Sequence, residues 1–374
     1  MPLLRFPLPS LVNLHVNIPH PPWLSNFLEL FPTISPGVEV ISIFVSPGNW
    51  STLDTPPNCI TRWRNLSRLS FFRITLNVDD IVHLSRTPAL TELRFALKAS
   101  LPAFDSPLIF SNLRDFSLFS LSLEPISKFL LQIRLPALTS FDADICNCPS
   151  SQDFTSFLAN IPISNSGHTI ESLRLYQLLP YPREAALHSS ISLEFDDLQP
   201  WMAFNNLHRI EIDIAYDVGL TDSKLLALAS AWPKLQHLII NSSGGWNIRG
   251  GITPGGLVEL LRTCRLLREI ALRLDTRGYT EVPPNHVLAN LGWTFPSAFS
   301  INVVDSAIEA ESVPAVAAFL CGFAGCFGSY FTLRAWDCAP RMDPWLVPQY
   351  AQRWDEVERR VNEALGCHPE QDDG

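Results

Sequence analysis

Residues able to do acid–base, nucleophilic or metal chemistry are spread thinly along this chain. Carboxylates occur in pairs at Asp79/Asp80, Asp142/Asp144, Asp196/Asp197 and Glu211/Asp213. Two carboxylates flanking a cleft would serve glycoside hydrolysis. Each pair here falls in a strand or helix-cap pattern, where a solvated face is the default. Cys146-x-Cys148 offers two thiols, without the second pair that a structural zinc requires. Cys321 and Cys326 lie in an apolar stretch and read as packing groups. The nine histidines form no cluster. Glycines 244, 245, 250 and 251 lack the spacing of a phosphate-binding loop and read as a loop between elements. Nucleophile-elbow, zincin and dinucleotide motifs are absent. The expectation is therefore a protein that is not an enzyme, with no catalytic residue, metal or cofactor.

Charge narrows the partners. The formal net charge is -10, and no long basic cluster occurs. Nucleic acid, which calls for a basic stripe, is not expected. Disorder needs low hydrophobicity and high charge; here 47% of residues are hydrophobic and 17% charged. Glu370, Asp372 and Asp373 make an acidic tail. The first residues lack a secretory pattern, and the scattered cysteines fit reduced thiols, so an intracellular location, cytoplasm or nucleus, is expected. Val313 to Leu333 carries no charge over a length that can span a bilayer. Pro314 and three glycines inside it favour a buried helix followed by a buried strand, and a membrane partner is not expected.

A repeat must position whatever function exists. The template L-x-x-L-x-L recurs at Leu11/Leu14/Val16, Leu66/Leu69/Phe71, Leu90/Leu93/Phe95, Leu113/Phe116/Leu118 and Leu138/Phe141/Ala143. It continues at Ile170/Leu173/Leu175, Leu207/Ile210/Ile212, Leu235/Leu238/Ile240 and Leu267/Ile270/Leu272. Weaker fits begin at Val38, Ala298 and Tyr330. The twelve starts lie about 29 residues apart, the leucine-rich-repeat signature of one short strand per unit. Alternate strand residues share a face, so the second and third template positions point inward and their neighbours outward.

Helices are expected between the strands, most clearly over Leu220–Trp232 and Thr253–Cys264, with others at 77–86, 124–132 and 152–160. Pro9, Pro88, Pro136 and Pro233 punctuate the return to the next strand. The fold class is thus α/β, a leucine-rich-repeat solenoid. Its curved arc would carry a parallel sheet on the concave face and helices on the convex face. Residues 1–345 form about twelve irregular units, and 346–374 a C-terminal helix and acidic tail.

Outward strand positions supply the expected protein-binding face: His15, Arg94, Asp142, Asp144, Arg174, Tyr176, Glu211, Asp213, Arg273, Arg334 and Trp336. Ser70, Phe72, Asp115, Ser117 and Phe119 share that register. Arginine and aromatics of this kind dominate protein hot spots. A monomer that holds a protein target on the concave face is expected.

One region carries a resemblance. Asp222, Leu225, Leu228, Ala229, Ala231, Trp232, Pro233 and Leu235 make one unit. Gly251, Ile252, Thr253, Gly256, Leu257, Leu260, Leu261, Cys264 and Leu267 make the next. This pair resembles the C-terminal repeats of fungal (basidiomycete-type) F-box/leucine-rich-repeat proteins. The close likeness covers about 55 residues. It implies the substrate-recognition part of an SCF-type ubiquitin ligase receptor. A Skp1-type adaptor would be a partner only through an F-box upstream of this chain, and no F-box pattern is evident within it. A non-catalytic scaffold of the same fold is the alternative.

Overall fold

The structure is a computed structural model. It describes residues 11–18, 24–45, 52–55, 60–99, 102–165, 169–178, 192–214, 216–243, 245–246, 251–280, 298–327, 331–335 and 347–366. The side chains of 18, 25–26 and 324–327 are outside that description. Two compact units divide the chain, Met1–Leu179 and Pro180–Gly374.

The first unit is a parallel sheet of seven main strands: β1 (Asn13–Ile18), β2 (Val40–Val45), β3 (Arg68–Thr75), β4 (Glu92–Ala96), β5 (Asp115–Ser120), β6 (Ser140–Ile145) and β7 (Ser172–Gln177). The strands pair in sequence order. Leu14, Ile41, Leu69, Leu93, Phe116, Phe141 and Leu173 stand side by side in one lateral row. These are the second template positions, now stacked into one core line. Helices α1 (Leu24–Ile34), α2 (Val78–Ser85), α3 (Leu123–Leu131) and α4 (Ser151–Ser164) return the chain between strands. Rings bind the two layers: Phe95 meets Phe129 of α3 edge-on at 5.9 Å, and Phe141 packs on Phe157 of α4 at 6.1 Å. Each such ring is worth a few kcal/mol when fully buried, about 25 cal/mol per Å² of apolar area.

β3 breaks the monotony. Ser70 pairs with Arg94, but the next pairing joins Thr75 to Ala96, so the strand bulges between them. Arg73 there has φ 62, in the left-handed region unusual for any residue but glycine. Bulges re-aim side chains, and this one carries Arg73 onto the sheet face opposite the helices, where register already places Phe72 beside Phe44.

α2 illustrates how a helix start is held. Asn77 caps it, its side chain accepting from the Asp80 N–H at 2.9 Å. Asp80 in turn accepts from the Ile60 N–H at 3.3 Å and the Asn77 amide at 2.6 Å. Asp80 is fully buried, and burial pushes its carboxyl up to about 6. The folded value lies above the unfolded one, so the neutral carboxyl sits without penalty at pH 4. Stability falls as pH rises through about 6, when a buried charge must form. Asp80→Asn should therefore gain stability over wild type, on the order of 3 kcal/mol, between pH 4 and pH 7. Denaturant melts at the two pH values check this, and an unchanged difference would refute it.

The second unit has β8 (Arg209–Asp213), β9 (His237–Ile240), β10 (Glu269–Ala271), β11 (Phe299–Asn302) and β12 (Phe331–Arg334), again parallel. Ile210, Leu238, Ile270, Ile301 and Leu333 continue the template in one row. Its helices are the short α5 (Phe195–Leu198), α6 (Asp222–Ala231), α7 (Pro254–Thr263), α8 (Val313–Phe327) and α9 (Val347–Ala364). The uncharged stretch is thus α8 followed by β12. Among the described residues no helix is long and apolar enough to cross a membrane. Trp354, Val357 and Val361 of α9 are buried, and the Trp354 indole donates to the Ser306 carbonyl at 2.8 Å.

The residues of the two units that carry the resemblance do visible work in stacking. The Trp232 indole N–H donates to the Trp201 carbonyl one repeat earlier, at 3.1 Å. The Cys264 thiol donates to the Ala229 and Trp232 carbonyls at 3.5 Å; its burial pushes it up to about 12, so it packs as a thiol. Asp222, in the first turn of α6, reaches the cap of α7. It accepts from the Thr253 N–H at 2.9 Å and hydroxyl at 2.6 Å. Thr253 meanwhile caps α7 through Gly256 N–H at 3.0 Å.

Gly256 is required by that bridge. A Cβ there would stand 2.0 Å from Asp222 Oδ1, whereas one on Gly255 meets nothing closer than 3.5 Å. Gly256→Ala should cost about 1–3 kcal/mol by displacing the bridging carboxylate, and Gly255→Ala should be neutral or stabilising by up to about 1 kcal/mol. Thermal unfolding of the two variants side by side decides it.

Candidate functional site

The sheet face opposite the helices differs between the two units. In the first, register aligns His15, Ser42, Ser70, Arg94, Ser117, Asp142 and Arg174 in one lateral row. Asp144 and Tyr176 pair with each other one step along the strands, beside Phe119. Five expected residues, Arg94, Asp142, Asp144, Arg174 and Tyr176, are therefore neighbours. His15 lies at the far end of the row, on β1, and is exposed.

These side chains interlock. Arg94 reaches from β4 over the intervening β5 to Asp144 on β6, Nη2 to Oδ2 at 2.8 Å. It also lies over the Phe72 ring at 5.0 Å. Phe72 stacks on Phe44 at 4.9 Å with the rings 8° apart, and Arg73 lies over both Phe72 and Phe119. Arg174 covers Tyr176 at 5.1 Å and stands 3.8 Å from Asp142. Guanidinium over an aromatic face is favourable for cation and ring alike.

Burial pushes the carboxyls of both Asp142 and Asp144 up; Arg174 and Arg94 respectively pull them back, with less effect. Phe119, Ala96 and Cys146 form a small apolar cluster on this face, with Leu178 against it. Phe44 and Arg73 were not in the expected face. Phe44 follows a weak template match, and Arg73 enters through the bulge, for which the sequence carries no glycine or other mark.

Of the first unit's expected residues Asp144 is buried, at 8% exposure; in the second unit most of them are. Glu211, Asp213 and Arg273 are buried, at 5%, 3% and 6% exposure. Glu211 pairs with Arg209 at 2.7 Å. Asp213 accepts from the Ser243 N–H at 3.1 Å and the Ser242 hydroxyl at 3.2 Å. Burial holds Arg273 below the usual guanidinium range, with Asp305 and Asp275 opposing. Arg334 is exposed at the end of β12, and Trp336 lies outside the described residues. His237 and Glu269, opposite each other on β9 and β10, meet at 2.9 Å. Asn241 is fully buried at φ 49, its amide joining Ile214 N–H and the Tyr216 carbonyl.

Other surfaces carry less. Among the described residues no group of three or more His, Cys, Asp or Glu could hold a metal. A hollow of about 520 Å³ between α8 and α9 is lined by Arg353, Glu356, Arg359 and Arg360 among others. Its charges are largely matched: Glu356 bonds both Arg359 and Arg360 at 2.7–2.8 Å, and Arg353 lies 3.6 Å from Glu309.

Comparison with known proteins places the fold in context. No family model matches the chain, and no curated protein matches significantly. Solved structures that resemble it include an internalin of Listeria monocytogenes, at 12% identity and TM-score 0.31, covering 76% of this chain and 86% of that one. A leucine-rich-repeat protein of Leptospira interrogans has 12% identity and TM-score 0.37, covering 97% and 90%. A TLR13–ssRNA13 complex has 12% identity and TM-score 0.37, covering 84% of this chain and 42% of that one. The fold is a leucine-rich-repeat one, and the repeat register above carries that statement.

Arg94 is the hinge of the first unit's face. Arg94→Gln removes a cation that holds the Asp144 carboxyl down, so Asp144 should titrate at higher pH. A carboxyl-carbon NMR titration reads the shift, and an unmoved Asp144 would mean that the pair does not form in solution.

Proposed function

We propose that the chain is a non-catalytic protein-binding repeat domain, and that the open face of its first unit is the contact surface. One observation carries the reading: Arg94, Arg174, Phe44, Phe72 and Tyr176 gather there, part-exposed, on a rigid sheet. Arginine and large aromatics supply most binding energy at protein interfaces. A sheet also holds them at small entropic cost on binding. Binding here works by surface complementarity, and the chain acts as a monomer. Scattered thiols, with Cys146 and Cys264 buried and free, favour an intracellular setting.

The finer reading rests on the residues of Asp222–Leu267. Their likeness to fungal F-box repeats supports a role as the substrate-recognition part of an SCF-type ubiquitin ligase receptor. A scaffold without that link has the same face and differs only in its adaptor.

Photo-crosslinking amino acids at Phe44, Arg174 and Tyr176 should give discrete protein adducts in extracts, while the same group at helix-side Leu30 or Ile163 should not. Adducts from the helix side alone would overturn the reading. Copurification of a Skp1-type adaptor with the full-length gene product would favour the ligase role, and its absence the scaffold.

A further inference from the structure

The first unit's face holds hydrogen-bonding groups that the fold leaves unmet. Arg94 Nε, Ser117 Oγ and Asp142 Oδ1 are buried and have no hydrogen-bond partner. They belong to adjacent residues of one lateral row, on β4, β5 and β6. Some 90% or more of buried polar groups are paired, so three unpaired atoms side by side call for a complementary group.

Their chemistry says which group. One atom is an N–H donor, one a hydroxyl that can donate or accept, and one a carboxylate acceptor. The charges around them are balanced: Arg68, Arg73, Arg94 and Arg174 stand against Glu92, Asp115, Asp142 and Asp144. This neutrality is local, on a chain of net charge -10. The complement is therefore a neutral group carrying both an acceptor and a donor, which describes a peptide unit. Adjacent strands lie about 4.8 Å apart, so the three positions span roughly 10 Å, the length of about three extended residues. Beside them the Phe44–Phe72 stack, with Phe44 40% exposed, offers an apolar seat.

We infer that this face recognises the main chain of an extended polypeptide segment laid across β3 to β6. Arg94 takes a carbonyl of the segment, Asp142 takes an N–H, and Phe44 and Phe72 take one apolar side chain. The Arg94 and Asp142 side chains are 36% and 29% exposed. Binding of this kind requires a rotamer change that brings these buried atoms to the surface of the face. The inference rests on the protein-binding reading and deepens it to a partner class.

The test uses random linear dodecapeptides displayed on phage, selected on the whole chain. Selected peptides should lose at least tenfold in affinity against Phe72→Ala and against Ser117→Ala. Ser117→Ala deletes an unmet hydroxyl and so keeps the fold, which circular dichroism verifies. N-methylation at one or two peptide positions should cost as much, where alanine at the same positions does not. Affinity should change less than twofold between low and high salt. Peptides sensitive only to side-chain changes, peptides indifferent to these variants, or no selected peptide at all would each overturn the inference. The crosslinking outcome separates the two levels: face-specific adducts without such peptides leave the protein-binding reading standing, and loss of both removes it too.

Discussion

Everything in this molecule depends on one constraint: a single repeat cannot bury its own apolar row. Three to eight residues of strand and one short helix leave their inner faces wet until a neighbour covers them. The strands answer by pairing in sequence order with like template positions side by side. A one-residue slip would turn every core side chain outward, so burial holds the register. The helix layer adds its own ties. Trp232, Cys264 and Asp222 each bond the neighbouring repeat's helix end or cap. Those groups are otherwise orphaned at helix ends.

Regularity in the core makes the opposite face a readable lattice. Each strand contributes outward side chains at a fixed lateral pitch, and long side chains can cross a neighbour. Arg94 does so, spanning β5 to Asp144. The β3 bulge is the main departure from this lattice, and the face is built around it. It brings Arg73 over Phe119, beside Phe72, which regular pairing with β2 sets against Phe44. Burial of Asp142 and Asp144 would favour their neutral forms; the arginines alongside oppose that. The result is a polar surface of matched charge and incomplete hydrogen bonding. It suits recognition more than stability, since unmet buried polar atoms carry a cost of about 1–3 kcal/mol each.

Periodicity alone was enough to read the architecture. All twelve template matches coincide with strands, including the weaker ones at Val38, Ala298 and Tyr330, now β2, β11 and β12. The helices at 220–232 and 253–264 appear as α6 and α7, with Thr253 as a working cap. Such features are local: alternation, caps and prolines act within a few residues. The candidate face was legible only as a register. Outward parity is a property of the strand, so Arg94, Asp142, Asp144, Arg174 and Tyr176 could be named as outward-facing; the strand pairing makes them neighbours.

Tertiary structure decided what parity cannot. Glu211, Asp213 and Arg273 have the same outward register as Arg94, yet they are buried. Burial depends on what packs above a residue, and that involves distant chain. The same holds for Arg73, whose left-handed backbone appears only where β3 leaves its partner. Which arginine reaches which aspartate, and which polar atoms remain unpaired, follows from packing across three strands. A one-dimensional pattern fixes direction along a strand. It carries no information on the neighbours that complete, or fail to complete, each polar group's bonds.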